Sequence, residues 1–271
     1  MLKDLITGAA SGIGEATKDY FLNQGNKVFA LDIKNIEEKE NLKFFKVDIT
    51  NESELKNIKQ YFIDNEVFFD VIINVAGIHK MASLVETSFS SMKKLIDINL
   101  LGTMLVNNIF HSLLKKEGRI IIVTSEVAPF DPMPFNGLYN ISKTGLDCYA
   151  QALRQELNLI NQKVITIRPG AVETPLSNYS MVDTQKLADE TNLYQEQAGK
   201  FVNIANKFKG KPIEPSKVAK LIYKASTCKK PKIIYSIHQN IGLVLLSILP
   251  KSLQCWIIKK LLSSTIKKGI G

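Results

Sequence analysis

The chain has 271 residues, 45% of them hydrophobic and 23% charged. That is the composition of one large globular domain, and it excludes a disordered or fibrous protein. The formal charge of +9 is a property of the C-terminal end: residues 215–271 hold 11 Lys and no Asp or Glu, whereas residues 1–214 hold 24 basic against 26 acidic residues. Only three of the basic residues are Arg, a poor supply of the bidentate forks that read base edges, so no nucleic-acid partner is expected. Cys148, Cys228 and Cys255 are odd in number and widely spaced, which predicts neither a disulfide framework nor a zinc site and fits a reducing, cytoplasmic compartment. The start of the chain turns glycine-rich before any long apolar stretch, so no signal peptide is expected.

In chain order, residues 2–7, 27–32, 42–47, 70–74, 119–124, 164–168 and 232–236 read as strands. Several are nearly continuous in Val, Ile and Leu, as strands covered on both faces must be. Between them, residues 13–23, 52–64, 89–114, 139–159 and 216–225 carry helical patterns. The rhythm predicts an α/β fold with a single doubly wound parallel sheet, helices on both faces and a C-terminal helical extension. Residues 1–236 are expected to form one catalytic domain, with residues 171–214 as a lid over the substrate. Residues 237–271 form a basic amphipathic extension: an apolar run over 241–249 ends at Pro250, and Leu253, Trp256, Ile257, Leu261 and Leu262 follow at helical spacing. Neither run reaches the ~18 apolar residues needed to span a bilayer.

The first strand runs into Thr7-Gly8-Ala9-Ala10-Ser11-Gly12-Ile13-Gly14 and then a helix. Glycines at this spacing allow a sharp turn and close approach of a ligand, while the helix start offers free N–H groups to a phosphate. Asp32 ends the second strand, 18 residues after Gly14. A carboxylate there accepts ribose hydroxyls and repels a 2′-phosphate, which favours NAD over NADP, although Lys34 nearby offers a phosphate contact. Tyr139 and Lys143 lie four apart at the start of a helical pattern, one turn from each other. A phenol with its ordinary pKa of ~10 is too weakly acidic for a base at neutral pH, and a neighbouring ammonium is expected to lower it.

Taken together these residues resemble the short-chain dehydrogenase/reductase family over residues 2–236. Gly8, Gly12 and Gly14 match its T-G-x-x-x-G-x-G pattern, with Ser11 and Ile13 inside the same loop, and Asn74-Val75-Ala76-Gly77 is similar to its N-N-A-G. The resemblance implies a Rossmann-like fold. It further implies that Asp48 and Ile49 sit by the adenine, that Asn74, Ala76 and Gly77 border the cofactor, and that Asn99 holds a proton-relay water beside the lysine. Ser125 matches the serine that binds the substrate oxygen, and Tyr139 and Lys143 match the Y-x-x-x-K pair, the lysine also holding the nicotinamide ribose. Pro169, Gly170, Val172 and Thr174 resemble the segment closing on the carboxamide. One departure stands out: Ser125 precedes Tyr139 by 14 residues, one more than the family's usual spacing, and Glu126 occupies the usual place. Ser125 remains preferred, because a strand ends there and a hydroxyl polarises a carbonyl without adding negative charge.

The expected activity is interconversion of a secondary alcohol and a ketone with NAD(H), on an apolar or lipid-like small molecule. An NADP(H)-dependent acyl-chain or polyketide ketoreductase is the alternative inside enzymology, and a non-catalytic nucleotide sensor the alternative outside it. Tyr179, Met181, Leu187, Leu193, Tyr194, Phe201 and Ile204 form either an apolar substrate wall or the packing face of short helices. His79 reads as a loop residue without a role, and no metal site is expected. Apolar residues on the helix starting at Tyr139 (Leu146, Tyr149, Ala150, Leu153, Leu157) exceed what packing on the sheet requires, and the resemblance, whose members commonly pair through this helix, implies a homodimer or homotetramer. Lys251, Lys259, Lys260, Lys267 and Lys268 beside the apolar C-terminal runs predict either peripheral contact with an anionic membrane or a solubilising face.

Overall fold

The structure, a computed structural model, describes residues 1–175, 186–208 and 211–263. Its centre is one seven-stranded sheet in the order β3-β2-β1-β4-β5-β6-β7, every neighbouring pair parallel. The strands are β1 Lys3–Thr7, β2 Lys27–Asp32, β3 Leu42–Lys46, β4 Phe69–Asn74, β5 Leu114–Val123, β6 Lys163–Pro169 and β7 Ile234–Ile237. Alternate residues of each strand feed opposite faces. Leu5, Ile72, Ile120 and Ile122 join one core, whereas Ile6, Ile73, Ile121 and Val123 join the other.

Helices cover both faces. On the first, α2 (Glu52–Asp64), α4 (Thr103–Phe110) and α5 (Gly137–Asn158) contribute Leu55, Phe62, Val106, Phe110, Leu146 and Ala150. On the second, α1 (Gly12–Asn23) and α7 (Pro215–Thr227) contribute Phe21, Val218, Ile222 and Ala225. The sheet runs outward from β1 in both directions, so its order reverses between β1 and β4. In open parallel sheets a crevice at the C-terminal ends of the strands opens at such a point.

The helix expected over 89–114 is broken into pieces. Helix α3 (Phe89–Ile96) passes into a π-helical turn, Asp97–Gly102, then α4 and a short 3-10 turn, His111–Leu113. A π turn holds an extra residue, which a regular apolar period does not reveal. β5 then begins at Leu114, five residues earlier than expected, with an irregularity in its pairing to β4 between Phe69 and Val71. After β6 come α6 (Gln195–Phe208), α7, β7 and two further helices, α8 (Ile241–Ser247) and α9 (Lys251–Leu262). Among the described residues no helix is long and apolar enough to cross a membrane.

Candidate active site

The crevice at the switch point is a cleft of about 520 Å³. One end of it is built by the glycine loop. Gly8 and Gly12 hold φ of 69° and 55°, left-handed values that strain any side chain. A Cβ on Gly14 would lie 1.9 Å from the Gly8 carbonyl oxygen, and one on Gly8 would lie 2.7 Å from the Ala76 backbone. The loop is therefore pressed against the end of β4, where Thr7 Oγ1 accepts from the Val75 and Ala76 amides at 3.2 and 3.3 Å. Ser11 begins α1 without a side-chain cap hydrogen bond, so among the described residues no cap competes with a ligand for the first-turn N–H groups. This is the arrangement that holds an anion at a helix start.

Asp32 lines the cleft with Ser11, Ile13, Lys34, Asp48 and Ile49. Its Oδ2 accepts from the Ala10 amide at 2.9 Å and its Oδ1 from the Lys34 amide at 2.9 Å, which ties the carboxylate to the glycine loop. Asp48 Oδ1 accepts from the Thr50 amide and hydroxyl at 2.9 and 2.8 Å. These features fit the pyrophosphate and ribose of a nicotinamide dinucleotide: a tight loop, helix-start amides uncapped by Ser11, and a fixed carboxylate one strand away. Pro169, Gly170, Val172 and Thr174 line the cleft as well. Val172 is held in place by a bridge to Ile213.

The other end carries the ionisable groups. Tyr139 and Lys143, one turn apart on α5, are both buried. Ser125 lines the same cleft as Tyr139 and favours the ionised form of its hydroxyl. Of the two residues that the loop length left open, Ser125 is thus the one that helps the phenol ionise. The extra residue is absorbed in the turn between β5 and α5, where Phe135 takes a left-handed φ of 64°. Glu126 lines the cleft too, but its Oε2 accepts from the Asn240 amide at 2.6 Å.

Burial pushes the Tyr139 phenol up to about 12, Ser125 opposes that and the Glu126 charge adds to it. The lowering expected from Lys143 is not among the causes that act on the phenol, although the Lys143 Nζ stands 5.9 Å from the tyrosine ring centroid. Burial also brings the Lys143 ammonium down to about 8. Its Nζ donates to the Val123 carbonyl at 3.3 Å. A Cβ on Gly77 would lie in ordinary contact with that nitrogen at 3.5 Å and more tightly against Asn99 Oδ1 at 3.2 Å.

Asn99 sits in the π turn and is fully buried. Its Oδ1 accepts from the Ile78 amide at 2.7 Å, and its Nδ2 donates to the Ile78 carbonyl at 2.8 Å and to Ser142 Oγ at 3.0 Å. The side chain is thereby spent on holding the loop after β4. Asn74 differs from its expected place at the cofactor: it is buried behind the cleft, where its Nδ2 donates to Asn107 Oδ1 at 2.9 Å. The Val75, Ala76 and Gly77 backbone lines the cleft in its stead.

His79, read from the sequence as a loop residue without a role, lies in the site. Its ring packs on Tyr139 with centroids 4.4 Å apart, and its Nε2 is 3.0 Å from Asn136 Oδ1. Burial lowers its pKa to about 4, so the imidazole is neutral at physiological pH. Its closeness to Gly77 in the chain was the only signal available for it. Of the residues expected to form a substrate wall or a packing face, Leu187 and Phe201 are buried while Leu193 is exposed. Phe135 packs against Tyr194 and Phe201, which makes these side chains part of a packed cluster. Tyr179 and Met181 lie outside the described residues.

Comparison with known proteins agrees with the geometry. The family model "short chain dehydrogenase" matches residues 4–185. The chain is 30% identical over 255 residues to the probable short-chain type dehydrogenase/reductase VdlC of Helicobacter pylori, covering 92% of this chain and 93% of that one. It is 31% identical over 229 residues to the 3-oxoacyl-[acyl-carrier-protein] reductase FabG of Thermotoga maritima, covering 79% and 87%. A short chain dehydrogenase family protein from Francisella tularensis superposes with a TM-score of 0.74 at 26% identity, over 88% of this chain and 97% of that one. The family match, the reversed sheet order and the Tyr139–Ser125–Lys143 cluster facing a glycine loop lead to one conclusion: the chain is an oxidoreductase of the short-chain dehydrogenase/reductase family, whose members use NAD or NADP.

Proposed function

We propose that the protein is an NAD(H)-dependent oxidoreductase interconverting a secondary alcohol and a ketone. The observation that carries this reading is that Ser125, Tyr139 and, one turn on, Lys143 line the same cleft that the glycine loop opens into. When bound, the dinucleotide supplies or accepts a hydride. The protein's own part is to hold the substrate and move one proton. In reduction the Tyr139 hydroxyl gives its proton to the carbonyl oxygen while Ser125 donates a second hydrogen bond to that oxygen; in oxidation Tyr139 takes the proton back. Lys143 places a positive charge beside the phenol and Asn99 fixes the loop that borders it.

Asp32 supports NAD, because a carboxylate at the end of the second strand, tied to the glycine loop, would repel a 2′-phosphate. NADH is expected to bind at least about tenfold more tightly than NADPH, and Asp32→Ala to erode that difference, as read by cofactor fluorescence titration. Equal affinity for both would favour the second reading, an NADP(H)-dependent ketoreductase acting on acyl chains. The observation behind that reading is Lys34, which lines the cleft two residues beyond Asp32.

The substrate reading is a small molecule with an apolar or lipid-like tail, and the C-terminal helices support it. Ile241, Leu245, Ile248, Leu253, Trp256 and Leu261 are exposed on α8 and α9, beside the exposed Lys251, Lys259 and Lys260. Lys267 and Lys268 lie outside the described residues. Apolar side chains with cations alongside match an anionic lipid surface, so a cytoplasmic protein peripheral to a membrane is the reading of this face. Lys200 of the lid helix α6 donates to the Ser263 carbonyl at 2.9 Å, which joins that face to the lid.

A homodimer or homotetramer is also part of the reading, on a different basis from the sequence. Leu146, Ala150 and Leu157 are consumed by the core, with Tyr149 and Leu153 packed against it. The exposed apolar residues on that side are Leu101, Met104 and Ile141.

A further inference from the structure

Glu126 is a charged residue of the cleft's reactive end that the mechanism above leaves unused, and it is an unusual neighbour for a proton-transferring phenol. It follows Ser125 directly, and its amide donates to the Pro169 carbonyl at 2.9 Å, so its backbone is clamped between the ends of β5 and β6. Its carboxylate is largely buried and close enough to Tyr139 for its charge to raise the phenol's pKa. Gly170 packs closely on it: a Cβ there would lie 1.9 Å from the His238 carbonyl oxygen and 3.2 Å from the Glu126 Cδ. Oε2 is engaged by the Asn240 amide. Among the described residues no hydrogen bond engages Oε1.

We propose that Glu126 determines substrate specificity: fixed through Oε2 beside Ser125 and Tyr139, it presents Oε1 to a hydroxyl on the carbon next to the reacting one and excludes substrates that carry a carboxylate there. The remaining oxygen of a partly buried carboxylate is a strong acceptor, which a substrate hydroxyl can meet. A second carboxylate within the same cleft meets like-charge repulsion in a medium of reduced dielectric. The inference rests on the cleft being an alcohol/ketone site. It narrows the substrate class to neutral molecules with vicinal oxygens, a diol or hydroxyketone head on an apolar tail.

Three ligands with one tail and one carbinol separate the possibilities: 1,2-octanediol, 2-octanol and 2-hydroxyoctanoate place a hydroxymethyl, a methyl or a carboxylate next to the reacting carbon. Their affinities for the full-length protein loaded with NADH are read from the change in NADH fluorescence, which needs no turnover. The diol is expected to bind best and at least about tenfold more tightly than the hydroxy acid. Glu126→Gln should shrink that gap to about threefold or less. Glu126→Asp, which keeps the charge but is too short to keep the Asn240 contact unchanged, should preserve the preference for the diol over the acid. Equal binding of diol and acid by the wild type, an unchanged gap in Glu126→Gln, or no binding of any of the three by an NADH-loaded protein would overturn the proposal. Failure of the underlying alcohol/ketone reading shows separately, as absent NADH binding or as 2-octanol oxidation that Tyr139→Phe leaves intact.

Discussion

Tyr139 and Lys143 are each driven by burial toward the neutral form, the phenol up to about 12 and the ammonium down to about 8. A lysine whose pKa falls from 10.5 to about 8 on folding binds fewer protons in the native than in the unfolded state between those values. Native stability therefore rises with pH across that window, and the lysine is a net burden below it. Lys143→Met is expected to stabilise the protein at pH 7 by something on the order of 2 kcal/mol while abolishing activity. In urea unfolding the advantage should vanish by about pH 10; a variant less stable than wild type at pH 7 would contradict the assignment. The Tyr139 and Lys143 pair was legible in the sequence because helical spacing alone brings the two together. Their pKa shifts were not, because burial depends on elements distant in the chain. The same holds for His79 and Glu126, which reach the cleft only when the ends of β4, β5 and α5 converge.

The glycine loop and the π turn show how far an element can be read from its pattern. Three glycines at fixed spacing predict a loop pressed against its neighbours, and the contacts at Gly8 and Gly14 supply the reason. Gly14→Ala should cost both NADH affinity, by about tenfold or more, and stability, by a few kcal/mol, since a Cβ 1.9 Å from the Gly8 carbonyl forces the loop open. A fluorescence titration with unchanged affinity would show that the loop does not hold the cofactor. The π turn escaped the reading over 89–114, because apolar periodicity continues on both sides of Asn99. Within it the Asn99 amide bonds both backbone polar groups of Ile78, a contact distant in the chain that periodicity does not show.

For the whole molecule, a doubly wound sheet was legible because near-continuous apolar strands must be covered on both faces, and the two cores are those faces. Assembly was less so. Leu146, Ala150 and Leu157 are apolar for the sake of the core, and sequence does not separate such residues from an interface. The exposed C-terminal face gives a prediction at this scale. The full chain is expected to float with anionic vesicles at low salt and to be released by high salt or by loss of residues 238–271. Light scattering of the lipid-free protein is expected to give a multiple of the monomer mass. Flotation that is absent at low salt would leave the helices as a cover for the lid.

The central claim is that Tyr139 exchanges the proton while a hydride passes between nicotinamide and a carbinol carbon. Its most direct test is reduction of 2-octanone with NADH deuterated at the transferred position, wild type against Tyr139→Phe, followed by mass spectrometry of the product and by NADH absorbance. The account predicts 2-octanol carrying deuterium at the carbinol carbon. It also predicts turnover in Tyr139→Phe lower by about 100-fold or more with NADH affinity nearly unchanged. Near wild-type turnover in Tyr139→Phe, or a product without deuterium, would contradict it.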